Sequence, residues 1–428
     1  MYINFFIVGG IYLENQLNNI LYLEDNRQTI KFSTIPIWID FAFFSNGDVE
    51  KRHFATIGIK DTAREKHIIH PVSQFILDNW KIREFHTQRK HANNTVKFLN
   101  YILENRNSLK IKSLQDLKIA HGTEYLNSLS FEGVSKDTVK DAERTLTRFY
   151  FWLAKQEVIP SLSEANFERK ETQFGSYIES PFRPSYPSKS EKKVEHTLPL
   201  SYIPLLLEVA IGEAKPIALG LYFQIFGGLR VSEVVNLKRL QVARRMQDGD
   251  FILKLKNQNF RSDLKEHASV KKVRTQRVFQ INDWGHSLFK DHIQLYKPID
   301  GSNALFVNRD GKALSERSYR QYFQKVKDSF IKLLEIYGNT EQKLLAKHLK
   351  YMKWSTHIGR GTFTNMIAED ANNPYEIAHL RGDSNIESAL TYTVSTERLH
   401  RKIQEKFSLM HGTYIPKLVE REGGNFGK

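Results

Sequence analysis

The chain has 428 residues, enough for two or three domains that each bury a core. Its formal net charge of +15 points to a polyanionic partner, most simply nucleic acid, bound through phosphate contacts and therefore sensitive to salt. The absence of cysteine excludes disulfides, thiol catalysis and Cys-ligated zinc, and fits a reducing, intracellular home.

The opening MYINFFIVGGIYLENQ is apolar but lacks the basic region and cleavage site of a signal peptide. It meets Glu14 well short of a membrane span, so it is expected to be core, as a strand, and no membrane partner is expected. Residues 1–70 are rich in aromatic and β-branched side chains, as in TIKFSTIPIWIDFAFF, with a turn signal from Ser45 to Asp48. They predict a strand-rich module that packs on the next domain, with a DNA-contacting arm as the alternative.

Over residues 71–159 the period becomes helical: Val96, Leu99 and Leu103, then Leu114, Leu117 and Tyr125, then Val139, Leu146, Phe149 and Leu153. Ser135 is placed to cap the last run after Gly133 breaks the chain. Three or four helices should form a compact domain. Arg89, Lys90, Lys97, Lys136, Lys140, Arg144 and Arg148 lie off the apolar stripe, as on a solvated face or on a surface that grips a duplex backbone. Arg89, Lys90, Lys140 and Arg144 are the candidate DNA contacts here. Residues 160–199 read as an extended linker with Pro181, Pro184 and Pro187, and its basic run adds Lys192 and Lys193 to the DNA-contact candidates.

From residue 200 to 428 apolar helical patterns return. Gly227 and Gly228 should end one helix, so that Arg230 begins the next beside Ser232 as its cap. FILKLK and SVKKVRTQRVFQI alternate as an antiparallel pair does, with Lys272 near the start of the second strand, and ALFV reads as a short strand or buried run. A helix beginning near His357 puts His357 and Arg360 on one face. Leu399, Ile403, Phe407 and Met410 then make a one-faced helix that needs a partner surface, in its own domain or on a neighbouring subunit.

Arg230, Lys272, His357, Arg360 and Tyr392 are residue types that suit phosphodiester chemistry. Two arginines can clamp the non-bridging oxygens and the extra charge of a pentacoordinate transition state, with no demand for a metal. A phenol ionises only above pH about 10 in water, so Tyr392 needs cationic neighbours or a base such as His357 to act as a nucleophile. Lys272 can protonate the sugar hydroxyl that leaves. No Walker-type glycine loop, H-E-x-x-H or G-x-S-x-G competes with this reading.

FGGLRVSEVVNL resembles the arginine-containing box of the tyrosine recombinases, the phage integrase family, and HIGRGTF resembles their His-x-x-Arg box. GDSNIESALTY resembles their closing segment, which ends in the nucleophilic tyrosine. The resemblance runs from about Thr197 to Met410, and residues 71–159 fit the family's core-binding domain in kind. It implies a mainly α, multidomain fold with a small antiparallel β-sheet: a helical core-binding domain and a mixed α/β catalytic domain. It implies Arg230 and Arg360 as phosphate clamps, His357 as base or phosphate holder, Tyr392 as nucleophile and Lys272 as general acid, with Lys271 and Lys256 open as alternatives. This sequence departs from the family at Asp383, where His or Trp is usual, and at Gly361, where His is common. An ionised Asp383 would repel phosphate, unless it protonates or orients a neighbour such as Arg381.

The implied function is site-specific recombination or integration of double-stranded DNA through a 3′-phosphotyrosine, without metal, ATP or other cofactor. A homotetramer on DNA and a cytoplasmic, nucleoid-associated setting in a prokaryote, phage or mobile element are implied with it. The alternatives are a DNA-binding relative with weak or lost cleavage, and a type IB topoisomerase-like enzyme.

Overall fold

Alternating β-branched and aromatic side chains make β1 (Ile30–Phe43), which pairs antiparallel with β2 (Val49–Asp61), its register shifting between Asp40 and Ala42. β2 in turn pairs antiparallel with β3 (Lys66–Ile69). The computed structural model describes residues 30–43, 49–61, 66–172, 175–188, 194–244, 249–258, 260–261, 263–264, 268–270, 272–382, 393–408 and 414–423. The expected strand in residues 1–29, the turn at 45–48, Lys192, Lys193, Lys271, Asp383, Tyr392 and Met410 lie outside these residues.

The sheet is followed by α1 (Ser73–Trp80), α2 (Phe85–Glu104), α3 (Arg106–Leu109), α4 (Ile119–Phe131) and α5 (Lys136–Lys155). Ser135 caps α5, accepting the Thr138 N–H at 3.4 Å. Phe32, Ala55 and Ile57 of the sheet share one buried core with Phe75, Phe98, Leu99 and Phe149 of the helices. Polar side chains stitch the same seam. Asn100 accepts the Phe32 N–H at 2.8 Å and donates to the Phe32 carbonyl at 3.0 Å, while Ser73 Oγ meets the Ile57 N–H and C=O at 2.9 and 2.7 Å.

Part of the segment expected to be an extended linker is ordered. β4 (Arg169–Thr172) and β5 (Gly175–Ile178) pair as an antiparallel hairpin, and Phe167 and Phe182 enter the helical core. Aromatic side chains among the prolines account for this, because each gains about 1.5–3 kcal/mol on burial. Phe182 rests on Gly122, where an added Cβ would stand 2.3 Å from its ring.

The described residues divide into two compact units, with the boundary between Glu191 and Lys192. The second unit contains α6 (Ile203–Glu213), α7 (Lys215–Gly227), α8 (Val231–Val235), the antiparallel sheet β6 (Val242–Arg244), β7 (Phe251–Leu255) and β8 (Arg274–Val278), α9 (Trp284–Leu295), α10 (Glu316–Tyr337), α11 (Thr340–Tyr351), α12 (His357–Ala368), α13 (Pro374–Leu380), α14 (Thr393–Ser408) and α15 (Tyr414–Gly423). The run Ala304–Val307 is buried without forming a strand. Leu399, Ile403 and Phe407 of α14 are fully buried in this unit's own core, which answers where that apolar stripe finds its partner. Among the described residues no helix is long and apolar enough to cross a membrane.

Each unit buries a neutral histidine. Burial lowers the pKa of His70 and of His292 to about 4, from 6.5 for the free side chain. The unfolded chain therefore takes up these protons first, and stability present above pH 6.5 is lost as pH falls towards 4. Each histidine is expected to contribute a loss of about 1.4 kcal/mol per pH unit across that window. Urea midpoints at pH 7 and pH 5 test this, and equal midpoints would refute it.

Candidate active site

Helix α7 ends because Gly228 takes φ 65°, and an added Cβ there would meet the Phe363 ring at 2.5 Å. The chain then turns, and Arg230 becomes the N-cap of α8. Ser232, the cap expected from sequence, lies inside the helix. Glu233 closes the corner instead: it accepts the Arg230 N–H at 2.8 Å and Arg230 Nη1 at 3.1 Å. A second guanidinium, Arg274 Nη1 at the start of β8, reaches the same Glu233 Oε1 at 2.6 Å. Glu233 is fully buried, which alone would raise its pKa; the Arg274 hydrogen bond and the charges of Arg274 and Arg230 outweigh burial and hold it below the usual value. Arg230 is thus held at a fixed place while its side chain stays about a quarter exposed (27%).

Helix α12 crosses close over α7, since Gly359 lets its backbone approach Gln224, whose Cβ would be 2.8 Å from a Cβ at position 359. Arg360 is buried in this crossing. It donates through Nη1 to the carbonyl of Gly228, two residues before Arg230, and through Nη2 to the carbonyl of Arg381 at 3.3 Å. His357 opens the same helix. Burial, and then the charges of Arg320, Arg230, His196 and Arg360, lower its pKa, so its imidazole is neutral at pH 7. Arg230, His357 and Arg360, read from distant boxes, therefore meet at one place.

A third wall is the end of α13. Asn373 caps its start, accepting the N–H groups of Tyr375 and Glu376, and Gln276 of β8 donates to the Leu380 carbonyl at 2.6 Å. Gly382 follows at φ 68°, where a Cβ would stand 2.0 Å from Arg274 Nε. The chain thus leaves for Asp383 from a point fixed by Arg360 and Arg274. Asp383 and Tyr392 themselves lie outside the described residues. Lys272 is half-buried just before β8, two residues from Arg274, whereas Lys256 is exposed past the end of β7.

In the first unit, α2 and α5 bring candidate DNA contacts onto one surface. Lys90 and Arg144 share Asp141 at 2.8 and 3.4 Å, and Arg89 and Lys90 line a cavity of about 500 Å³ with His86, Asn93, Asn94 and Lys97. Lys140 lies 5.5 Å from the centre of the Tyr186 ring.

No protein-family model and no curated protein matches the sequence. Among solved structures, the chain is similar to the Tn1549 transposon integrase in complex with circular intermediate DNA, at 17% identity over 77% of this chain and 98% of that one, with a TM-score of 0.50. The chain has the tyrosine-recombinase fold. It is similar also to the XerH site-specific recombinase bound to palindromic difH substrate (17% identity, 72% and 76% of the two chains, TM-score 0.47) and to the lambda integrase bound to DNA (12% identity, 72% and 90%, TM-score 0.46).

Within this tyrosine-recombinase fold, three residues at the site escaped the sequence reading. Glu233 carried a signal, since an acid three residues after a helix cap is the pattern of a capping box. Arg274 was hidden in a basic run, and its contact with Glu233 spans 41 positions. His196 sits in the segment taken for linker, yet its charge reaches His357.

Proposed function

We propose that the chain is a site-specific DNA recombinase that cleaves and rejoins strands through a covalent 3′-phosphotyrosine at Tyr392. The observation that carries this reading is that Arg360, three residues after His357 on α12, donates to the carbonyl of Gly228, two residues before Arg230. The Tyr392 hydroxyl attacks the phosphorus and passes its proton to His357, while the two guanidiniums hold the non-bridging oxygens. The bond from phosphorus to the 5′ oxygen breaks as Lys272 protonates that oxygen. A 5′ hydroxyl from a second strand then attacks the phosphotyrosine, and the phenolate leaves, so rejoining consumes no ATP, metal or cofactor.

Double-stranded DNA at specific sites is the partner, a reading supported by the complex of the Tn1549 transposon integrase with circular intermediate DNA. The basic α2 and α5 surface is the clamp, with Lys192 and Lys193 as further candidate DNA contacts. The assembly is a homotetramer on DNA, and the setting a mobile element in the cytoplasm. A nicked half-site substrate tests the chemistry: a covalent protein–DNA adduct supports the proposal, and tight binding without adduct favours a DNA-binding relative with lost cleavage. Recombination of two sites, against simple relaxation, then separates strand exchange from topoisomerase action.

Asp383 favours the weaker-cleavage reading, because an ionised carboxylate repels phosphate where a donor would hold it. Asp383→His is expected to raise the cleavage rate on the half-site. An unchanged or lower rate in single turnover would give Asp383 a role of its own.

A further inference from the structure

The segment from Val194 to Leu198 is laced to the start of α12. Val194 bridges Lys353, the Glu195 N–H donates to the Lys353 carbonyl at 3.0 Å, and the Leu198 N–H donates to Thr362 Oγ1 at 2.9 Å. Glu195 stiffens the turn, accepting the N–H groups of His196 and Thr197 at 2.9 and 3.0 Å and contacting His348 Nε2 at 3.0 Å. Between these anchors His196 lies directly against Gly361: a Cβ added at Gly361 would fall 1.8 Å from the His196 carbonyl oxygen and 3.2 Å from its Cβ. Gly361 is four residues after His357, on the same face of α12. No side chain other than hydrogen fits there while the segment stays in place.

We propose that His196 is a further phosphate-contacting residue, and that the segment carrying it occupies the place opened by glycine at position 361. The inference rests on the strand-cleavage reading above. His196 is exposed, next to the face that carries His357, and its backbone is fixed on both sides. An imidazole so placed has an N–H to give to a backbone phosphate held by Arg230 and Arg360, and its body costs little to order because the chain beneath it is already rigid. The His357 pKa, lowered in part by the charge of His196, is consistent with the two rings sharing one neighbourhood.

The test uses the full chain and a nicked half-site, measuring covalent-adduct rate, half-site affinity and melting temperature for wild type, His196→Ala and His196→Asn. His196→Ala is expected to slow adduct formation about 10- to 100-fold, below the loss for a buried oxyanion donor. Affinity should change less than about threefold, and His196→Asn, which keeps an N–H donor, should recover most of the rate. Wild-type cleavage with an unchanged rate in His196→Ala removes this inference alone. A rate loss that Asn does not recover, with a lowered melting temperature, makes the segment a structural strap and also removes it. Absence of any adduct with wild type removes the parent reading and this one together. Gly361→Ala gives a second arm: by displacing the segment it should reproduce the His196→Ala loss, and wild-type rates in that variant would overturn the placement.

Discussion

Tyr392→Phe is expected to abolish the covalent adduct on a nicked half-site while leaving affinity for the intact site unchanged. Removing a nucleophile eliminates the bond-forming step outright, whereas removing a stabilising donor leaves a slower reaction behind. The contrast is what makes the variant informative: the basic α2 and α5 surface and the arginine pair are untouched, so binding persists. Adducts are counted by gel shift after denaturation, and affinity by a filter or anisotropy assay. An adduct that survives the substitution would move the nucleophile elsewhere and end the assignment.

Arg230→Ala is expected to lower the single-turnover cleavage rate by about 10² to 10³, the cost of losing one preorganised donor to developing negative charge. The fold should tolerate the change, because Arg274 still neutralises the buried Glu233 at 2.6 Å after Arg230 is gone. Arg360 does not offer so clean an experiment. Its guanidinium also satisfies the carbonyls of Gly228 and Arg381, so truncation would leave buried acceptors unpaired, at about 1–3 kcal/mol each. Arg360→Lys, which keeps the charge and loses the fork, is the better companion. A melting temperature close to wild type with a rate loss under about tenfold for Arg230→Ala would remove Arg230 from the phosphate.

Much of this site was readable because its signals are local. Two glycines announce the turn before Arg230, and three-residue spacing on a helix puts His357 and Arg360 on one face. Alternation marks β7 and β8, down to the buried Phe251, Leu253 and Leu255. What sequence could not show is which apolar or charged face meets which. The period of α2 reports a stripe but not that Phe32 and Ile57 of a sheet cover part of it. The acid at Glu233 carried the local signal of a helix cap, but not its second partner, Arg274, which arrives from 41 positions away. His196 was invisible for the same reason: a linker has no period, and the hydrogen bonds to Lys353 and Thr362 and the close approach to Gly361 that dock it come from more than 150 positions away.

The seam between the first sheet and its helices limits how this protein can be shortened. Phe32, Ala55 and Ile57 close one side of a core that Phe75 and Leu99 close from the other. Deleting the strands would wet that interface and strand the amide of Asn100, which now satisfies both backbone groups of Phe32. The sheet is therefore not a detachable appendage of these helices.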